Sequence, residues 1–161
     1  MDFRVGFGND IHKLVDAGSL IIGGVKISFD KGTQAHSDGD VLAHAVCDAL
    51  LGALALKDIG SHFPDTDNQY KDICSLHLLE KVMVLVNTQG FRVNNIDCTV
   101  VLEKPKLASY IDEICQNLAS ILAIDVNKVS VKAKTNEKLG DIGNGNAIAA
   151  FCVVSLLHND C

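Results

Sequence analysis

The sequence has little of several residue types, and each shortage argues against a class of protein. None of its 161 residues is tryptophan and only 2 are proline, and no Ser/Gly/Pro-rich linker divides it. No apolar run approaches the roughly 20 residues that a membrane-spanning helix needs. The N-terminus lacks the basic-then-apolar order of a signal peptide. We therefore expect a single domain covering residues 1–161, without a membrane segment, in the cytoplasm.

Positive charge is also scarce. The chain has 14 Lys and Arg against 20 Asp and Glu, for a net charge of -6 at pH 7. Generic binders of nucleic acids or membrane surfaces need a basic surface, so neither partner is expected. The hydrophobic fraction of 48% supplies ample material for a core. These features predict a folded domain rather than a disordered segment.

The cysteine pattern argues against two common motifs. The 6 cysteines include no Cys-x-x-Cys pair, which disfavours a zinc ribbon or a thioredoxin-type site. Four of them, Cys47, Cys98, Cys115 and Cys152, lie inside apolar stretches. We predict that these four are small buried hydrophobes in a reducing compartment.

Apolar patterns predict strands at the start of the chain and then helices and strands that alternate along most of it. Residues 3–12 favour a strand in which Gly6 and Gly8 mark a bulge or a close approach. Residues 20–29 favour a hairpin around a Gly-Gly turn. Later segments are predicted as a helix at 72–89, a strand at 91–103, a helix at 110–123, a strand at 128–135, a turn at 137–140 and a strand at 147–157. This order predicts an α+β fold, an α/β sandwich with a sheet covered by helices on one face.

The first helix is expected to begin near Asp38. Ser37 or Asp38 is its predicted N-cap, and Asp40 lies in its first turn. Its buried stripe is predicted as Leu42, Ala45, Val46, Ala49, Leu50 and Ala53. His44 lies on a flank of this stripe, and Asp48 follows it by four residues, so the two side chains can meet. The Asp48 carboxylate can therefore orient the imidazole, and the alternative is a solvated helix charge.

Asp10, His12 and His44 are the strongest candidates for a metal site. Asp10 and His12 are two residues apart in a predicted strand, so their side chains project from the same face. A carboxylate and two neutral imidazoles suit Zn²⁺ and would leave its fourth position open for a substrate. Spacing alone leaves an alternative open, a surface Asp-x-His and a helix histidine in an ordinary polar contact.

Two further features are typical of phosphate binding. His36 precedes the helix and can donate to a phosphoryl oxygen beside the N–H groups of the helix start, although it also fits an ordinary loop histidine. Lysines follow two predicted strands, in Lys104-Pro105-Lys106 and between Lys132 and Lys138. Glu137 is the single acid of the second run and can bridge a diphosphate with Mg²⁺. The alternative for these lysines is a solvated surface.

Taken together, these motifs resemble those of the 2-C-methyl-D-erythritol 2,4-cyclodiphosphate synthase family. The resemblance covers essentially the whole chain, in order, and its His-Ser-Asp-Gly-Asp and Phe-Pro-Asp-Thr-Asp blocks are highly specific. The matching segments are Arg4-Val5-Gly6, Asp10-Ile11-His12, Ile22-Gly23-Gly24-Val25, Ala35-His36-Ser37-Asp38-Gly39-Asp40, Asp48-Ala49-Leu50-Leu51-Gly52, Asp58-Ile59-Gly60, Phe63-Pro64-Asp65-Thr66-Asp67, Pro105-Lys106 and Glu137-Lys138-Leu139-Gly140.

The resemblance implies a homotrimer around a central β-lined axis, with active sites between neighbouring subunits. It implies Zn²⁺ held by Asp10, His12 and His44, and a second divalent ion, Mg²⁺ or Mn²⁺, held by Glu137 and the diphosphate. By the same resemblance, His36 and Thr135 stabilise the transferring phosphoryl group. The implied reaction is intramolecular: the 2-phosphate of 4-diphosphocytidyl-2-C-methyl-D-erythritol 2-phosphate attacks the β-phosphorus, CMP leaves, and a cyclic diphosphate forms in the non-mevalonate isoprenoid pathway.

The resemblance also assigns two sets of substrate-binding residues. The set at the methylerythritol phosphate and the metal comprises Asp10, Ile11, His12, His36, Ser37, Asp58, Ile59, Gly60, Phe63, Pro64, Asp65, Thr66 and Asp67. The set for the cytidine diphosphate, supplied by the adjacent subunit, comprises Leu102, Glu103, Lys104, Pro105, Lys106, Leu107, Ala108, Lys134, Thr135, Asn136 and Glu137.

The chain departs from the family pattern in one region. Family members often have Thr-Thr-Thr-Glu where this chain has Lys134-Thr135-Asn136-Glu137. They also often have an aromatic residue, an arginine and a glutamate where it has Asp141, Asn144 and Asn146. The sequence therefore does not decide whether an isoprenoid diphosphate binds near the trimer axis. Two other functions fit the same residues, a zinc-dependent phosphodiesterase or nucleotide hydrolase, and a trimeric metal- or nucleotide-binding protein without catalysis.

Overall fold

A mixed five-stranded sheet forms the centre of the computed structural model, which describes residues 2–64, 66–70 and 72–159. The strands are β1 (Phe3–Val15), β2 (Leu20–Ile22), β3 (Val25–Ile27), β4 (Gly32–Gln34), β5 (Phe91–Val101), β6 (Val129–Lys134) and β7 (Ala147–His158). The helices are α1 (Val41–Ala53), α2 (Ile59–His62), α3 (Ser75–Thr88), α4 (Ile111–Leu122) and α5 (Gly140–Gly143), with 3₁₀ turns at Asn68–Tyr70 and Val126–Lys128.

The strand order in the sheet is β4-β1-β7-β5-β6, and β2 and β3 form a separate hairpin. Neighbouring strands are antiparallel except β5 and β6, which run parallel. Side chains alternate between the two faces of a strand, and the buried residues of the long strands face α1, α3 and α4. The predicted α+β fold is therefore confirmed, with helices flanking a mixed sheet.

The buried core lies between this sheet and the helices. It contains Cys47, Cys98, Cys115 and Cys152, so the prediction that these four cysteines are buried is confirmed. The predicted helical stripe of α1 is buried as well, and α1 also buries residues outside that stripe. None of the helices in the described ranges is long and apolar enough to cross a membrane.

Gly6 and Gly8 let α1 lie directly against β1. A Cβ atom at Gly6 would lie 1.9 Å from the carbonyl oxygen of Ala49, and one at Gly8 would lie 2.1 Å from that of Ala45. The pairing of β1 with β7 runs without a register shift from Phe3 to Lys13. The two glycines therefore mark a close approach rather than a bulge, and this approach brings α1 close to the residues of β1.

Replacing Gly6 with alanine is expected to destabilise the protein strongly, because the added methyl group would overlap helix backbone that cannot rotate away. Overpacking of this kind costs about 3 kcal/mol, or about 6–12 °C in Tm for a chain of this size. The matched control is Gly52→Ala, whose Cβ would meet only the Phe7 carbonyl at 3.7 Å. This control should gain about 0.5–1 kcal/mol of helix propensity. Thermal unfolding of both variants checks the contrast, and equal Tm values would contradict the close approach.

The start of α1 differs from the prediction. Its N-cap is Asp40, not Ser37 or Asp38, and the Asp40 carboxylate accepts a hydrogen bond from the Ala43 backbone N–H at 3.0 Å. The same buried carboxylate accepts from the N–H groups of Gly23 and Gly24, at 2.9 and 2.7 Å. Asp40 therefore ties the β2–β3 turn to the helix. From the sequence, Asp40 was predicted to lie in the first turn of the helix, because spacing along the chain does not show that the Gly23–Gly24 turn lies beside it.

Other predicted boundaries shift by a few residues. The predicted strand at 3–12 continues to Val15, because β4 pairs with residues 13–15. The helix predicted at 72–89 begins at Ser75, since Asp72 has a left-handed φ of 55° and donates its N–H to the His36 carbonyl at 2.9 Å. The strand predicted at 91–103 ends at Val101. The hairpin within residues 20–29 is confirmed.

Candidate active site

Asp10, His12 and His44 converge where α1 crosses β1. Asp10 Oδ2 lies 3.0 Å from His12 Nε2 and 2.9 Å from His44 Nδ1. The two ring nitrogens lie 3.2 Å apart. All three side chains are half-buried, and their ligand atoms lie within 4.8 Å of one another. The alternation of β1 and the glycine-mediated approach of α1 thus produce the predicted cluster.

The geometry of this cluster fits a tetrahedral metal ion. Zinc binds histidine nitrogen and carboxylate oxygen at about 2.0–2.2 Å, which places neighbouring tetrahedral ligands about 3.3 Å apart. The observed separations of 2.9 to 3.2 Å are close to that value. Two imidazoles and one carboxylate also leave a fourth position for a substrate atom or water. Asp10, His12 and His44 are therefore the residues that could hold a divalent metal.

The charges of the cluster stabilise one another. Burial by itself would raise the pKa of Asp10, but the hydrogen bonds from His12 and His44 outweigh burial and hold that pKa well below its usual range. Burial would likewise lower the pKa of His44, but its hydrogen bond to Asp10 and the charge of that carboxylate outweigh burial and raise the pKa. The contacts therefore favour an ionised Asp10, which can bind a cation, and they make His44 harder to deprotonate for metal binding.

The second nitrogen of His44 has partners that the sequence did not indicate. Ser75 Oγ lies 2.9 Å and Ser37 Oγ 3.1 Å from His44 Nε2. Asp48, which was predicted to orient His44, instead accepts a hydrogen bond from the Ile59 backbone N–H at 2.7 Å. Burial raises the pKa of this carboxyl group. Asp48 therefore holds the start of α2 in place, and Ser75, from α3, contacts His44.

A cavity of about 170 Å³ opens beside the cluster. The predicted residues that line it are His12, His36, Ser37, His44, Ile59, Gly60 and Phe63. Four more lining residues, which were not predicted, are Ala35, Tyr70, Ile73 and Leu78. Among the described residues the buried Nε2 atom of His36 has no hydrogen-bond partner. The cavity therefore combines an apolar wall with an imidazole that is free to bind a ligand.

Other residues predicted for this half of the site lie apart from the cavity wall. Asp58 caps α2 through bonds from the backbone and side chain of Ser61, which hold its pKa below the usual range. Asp67 accepts from the Gln69 backbone at 3.0 Å. Ile11 lies on the opposite face of β1 from Asp10 and is exposed. Pro64 and Thr66 are exposed, and Asp65 lies outside the described residues.

A second cavity, of about 330 Å³, lies where β5 and β6 end. Because these two strands are parallel, their carboxyl ends meet at one edge, and Leu102 donates its N–H to the Lys134 carbonyl at 2.9 Å. The predicted residues that line this cavity are Leu102, Glu103, Pro105, Lys106, Leu107, Ala108, Lys134 and Thr135. Ile111 and Ala133, which were not predicted, line it as well. Lys104, Asn136 and Glu137 lie next to these residues in the chain.

The loop after β6 is shaped by Glu103. Its Oε2 accepts hydrogen bonds from the backbone N–H groups of Asn136 at 3.1 Å and Lys138 at 3.4 Å. Glu137 and Lys138 both have left-handed φ values, 51° and 63°, and Thr135 donates to Glu137 Oε1 at 2.7 Å. The Glu103 carboxylate thus holds a turn that presents Thr135 and Glu137 to solvent.

One lysine of the predicted basic run has another role. Lys132 Nζ contacts both carboxylate oxygens of Asp97, at 2.5 and 2.6 Å, on the neighbouring strand β5. This ion pair holds the pKa of Asp97 below its usual range. Both side chains project from the sheet face opposite the helices, because Ile96 and Cys98, on either side of Asp97, and Val131, which precedes Lys132, are buried in the core. Lys132 therefore does not line the cavity at the strand ends.

The two cavities are separate within one chain and share no lining residue. Asp10 of β1 and Val100 of β5 both pair with Ala150 of β7, so the metal cluster and the second cavity lie near the same end of β7. Two strand spacings, about 10 Å, separate β1 from β5. Within one chain the structure thus brings together part of each predicted half of the site, around the two cavities, but not the two halves.

Comparisons with known proteins agree over nearly the whole chain. The model of the YgbB family matches residues 3–157. The 2-C-methyl-D-erythritol 2,4-cyclodiphosphate synthase of Alkaliphilus oremlandii is 50% identical over 154 residues, which cover 96% of this chain and 98% of that protein. The bifunctional IspDF from Campylobacter jejuni has a TM-score of 0.94 at 40% identity, covering 98% of this chain and 42% of that one. The CDP complex of IspF from Plasmodium falciparum has a TM-score of 0.85 at 36% identity, covering 97% and 96%.

The family match includes every strand and helix that positions the metal cluster and the second cavity. The solved relatives share this arrangement of strands and helices over nearly all of the chain. Sequence, fold and site residues therefore point to one assignment. The chain belongs to the YgbB family, the family of 2-C-methyl-D-erythritol 2,4-cyclodiphosphate synthases.

Proposed function

We propose that this chain converts 4-diphosphocytidyl-2-C-methyl-D-erythritol 2-phosphate into 2-C-methyl-D-erythritol 2,4-cyclodiphosphate and CMP at the site built around Asp10, His12 and His44. The family activity makes the chain a lyase of the non-mevalonate isoprenoid pathway. The observation that carries the assignment to this site is the convergence of the three ligand side chains beside a cavity. We include in the proposal that residues 1–161 act as one domain, in the cytoplasm.

The residues at the two cavities fit Zn²⁺ and Mg²⁺ or Mn²⁺. Asp10, His12 and His44 would hold zinc, because their donor atoms have the separations and chemistry of a three-ligand zinc site. Glu137 would hold the second ion together with the diphosphate, since magnesium takes few carboxylates and completes its coordination with phosphate oxygens and water. When bound, the two cations supply Lewis-acid chemistry and offset the repulsion between the two anionic phosphates.

The protein's own residues then have to hold the flexible substrate in a conformation in which its 2-phosphate contacts its β-phosphorus. Ile59, Gly60 and Phe63 form the wall for the methylerythritol, and Ser37 and His36 lie beside the metal ligands. His36 Nε2, which lacks a partner among the described residues, can donate to the phosphoryl group during transfer. The Thr135 hydroxyl, at the second cavity, can also donate to this phosphoryl group. Holding nucleophile and electrophile in contact supplies a large share of the acceleration.

The second cavity fits the cytidine diphosphate. Its apolar wall of Leu102, Leu107 and Ile111 offers contact for the base, and Lys106 and Lys134 bring positive charge for the phosphates. That a solved relative was obtained as a CDP complex supports a small nucleotide as ligand. Because this cavity is separate from the metal cluster in one chain, we propose that each active site joins the metal cluster of one subunit to the second cavity of its neighbour.

An exposed apolar face supports a homotrimer. Six odd-numbered residues on the outward face of β1 and β7 are apolar and exposed, Phe3, Val5, Phe7, Ile11, Phe151 and Val153, and the same row of β1 also contains the polar Asn9 and Lys13. Phe7 and Phe151 stack with their ring centroids 6.5 Å apart. Large contiguous apolar patches mark protein interaction sites. We propose that this face, named here the open sheet face, lines the central axis of a trimer.

Product analysis tests the proposed reaction. The protein is incubated with the diphosphocytidyl substrate and Mg²⁺, and the products are followed by phosphorus NMR. The cyclic diphosphate should appear together with CMP in equal amounts. CDP or linear phosphates as the only products would identify a hydrolase that uses water as the attacking group, and would contradict the proposal. Unchanged substrate with bound zinc would identify a binding protein without this activity.

The zinc affinity of the triad should fall as the pH is lowered, and the fall should begin above pH 6.5. Zinc binds the neutral imidazole, so a proton competes with it, and the raised pKa of His44 keeps that proton bound at a higher pH than in an ordinary histidine. The expected slope is about tenfold per pH unit for one competing proton. Competition with a chromophoric chelator between pH 8 and pH 6 measures it. A constant affinity over that interval would show that His44 is not a ligand.

A further inference from the structure

Ser75 enters the metal cluster from the first turn of α3. Its side chain is fully buried, and its Oγ lies 2.9 Å from His44 Nε2, the ring nitrogen that faces away from Asp10. The Ser75 backbone N–H and hydroxyl both bond to the Asp38 carboxylate, the N–H at 3.0 Å to Oδ2 and the hydroxyl to Oδ1. Asp38 also accepts from the Asp40 N–H at 3.2 Å. Two hydrogen bonds to Asp38, one from its backbone and one from its side chain, therefore hold Ser75 in place.

The proton count on these groups decides the direction of each hydrogen bond. A serine hydroxyl has one hydrogen, and an ionised carboxylate only accepts. The Ser75 hydroxyl hydrogen therefore points to Asp38, and only an oxygen lone pair remains for His44. His44 must then donate from Nε2. Its Nδ1, 2.9 Å from Asp10 and 3.2 Å from His12 Nε2, is left as the nitrogen whose lone pair can face a metal.

Ser37 does not replace this contact. Its Oγ is farther from His44 Nε2, at 3.1 Å, and it also accepts a hydrogen bond from the Gly39 N–H at 3.2 Å. Ser37 belongs to the polar loop before α1 and lines the cavity beside the cluster. Ser75, in contrast, lies at the end of a helix and is removed from solvent. The packing of α3 against α1 thus supplies the rigid partner of the ring.

We propose that Ser75, held by Asp38, is a positioning residue that fixes the His44 ring with Nε2 protonated and Nδ1 directed at the metal. This inference rests on the proposed zinc site and adds the part of the fold that orients one of its ligands. Groups that hydrogen-bond the second nitrogen of a metal-binding histidine fix its tautomer and ring orientation, and their loss lowers metal affinity about 10- to 100-fold. The hydrogen bonds that link Asp38 to Ser75 and Ser75 to His44 have this arrangement.

Zinc affinity and nitrogen-15 NMR of His44 test the inference. Ser75→Ala and Asp38→Asn should each lower zinc affinity about 10- to 100-fold, measured with a chelator. The matched control is Thr33→Val, which removes a buried hydroxyl that has no hydrogen-bond partner among the described residues and should leave the affinity unchanged. Ser75→Thr keeps the hydroxyl and should bind zinc more tightly than Ser75→Ala. Circular dichroism confirms that each compared variant is folded.

The NMR measurement separates the inference from the function on which it rests. In the wild-type protein His44 Nε2 should carry a proton with and without zinc. A wild-type protein that binds zinc but has Nε2 unprotonated, or a folded Ser75→Ala variant with unchanged zinc affinity, would overturn the role of Ser75 while the zinc site stands. A wild-type protein that does not bind zinc at these ligands would instead overturn the proposed site, and the NMR result would still decide the orientation of the ring.

Discussion

Replacing His44 with alanine should abolish turnover and zinc binding together. His44 supplies one of three ligand atoms, so its removal leaves Asp10 and His12, on the same face of one strand, to hold the metal. A bound metal contributes several kcal/mol of charge stabilisation. Because about 1.4 kcal/mol corresponds to a factor of ten, kcat should fall about a thousandfold or more. The zinc content of the purified variant, measured by mass spectrometry, should fall in parallel.

The matched control for this variant is His77→Ala. His77 is exposed on α3 and belongs to neither cavity. Its zinc content and kcat should equal those of the wild type. Full activity in a zinc-free His44→Ala protein would rule out the role proposed for the metal cluster. Zinc-loaded but inactive His44→Ala protein would show that another group replaces the ligand and that His44 acts on the substrate instead.

Introducing a charge on the open sheet face should separate the subunits and eliminate activity. Val153 is 44% exposed in the single chain and lies on the central strand β7. In a trimer, Val153→Glu would bury one carboxylate from each subunit around the axis. Each unpaired buried charge costs several kcal/mol, so the variant should be monomeric by analytical ultracentrifugation. Its activity should fall at least about a hundredfold, because the proposed active site joins groups of two subunits that must be held in register.

The control for the open sheet face is Val84→Glu, on α3. Val84 is 63% exposed, more than Val153, and it lies on the helical side of the sheet. The same substitution there should leave both the sedimentation and the activity unchanged. Circular dichroism should show native secondary structure in both variants. A Val153→Glu protein that remains trimeric would place the subunit interface elsewhere, and an active monomer would show that one chain contains a complete site.

Local periodicity was enough to place two of the three residues of the metal cluster, Asp10 and His12, together. Asp10 and His12 share a face because a strand alternates its side chains, and this requires no tertiary contact. The glycines of β1 were predicted to mark either a bulge or a close approach, and the structure shows the close approach, with α1 filling that space. His44 was a candidate for the same cluster, but spacing left its contact with Asp10 open and only the family resemblance favoured it, since its position depends on how α1 crosses β1. In the structure, α1 crosses β1 at Gly6 and Gly8 and brings His44 to Asp10 and His12.

The errors lie where several similar side chains compete for distant partners. Asp40 is the N-cap because the Gly23–Gly24 turn reaches it, and Asp38 instead bonds to Ser75, which is 37 residues away. Asp48 bonds to the backbone of Ile59 rather than to His44. Ser75 had no signal of its own, since a single serine in an apolar helix is common. These contacts follow from helix packing, which spacing along the chain does not reveal.

The most direct test of the shared metal site is anomalous diffraction at the zinc edge from crystals grown with zinc and CDP. The proposal predicts one strong peak per subunit, about 2.0–2.2 Å from Asp10 Oδ2, His12 Nε2 and His44 Nδ1. It also predicts CDP in the second cavity of the adjacent subunit, next to Lys106 and Thr135. A zinc peak away from these three atoms, or CDP bound without a neighbouring subunit at the metal, would contradict it.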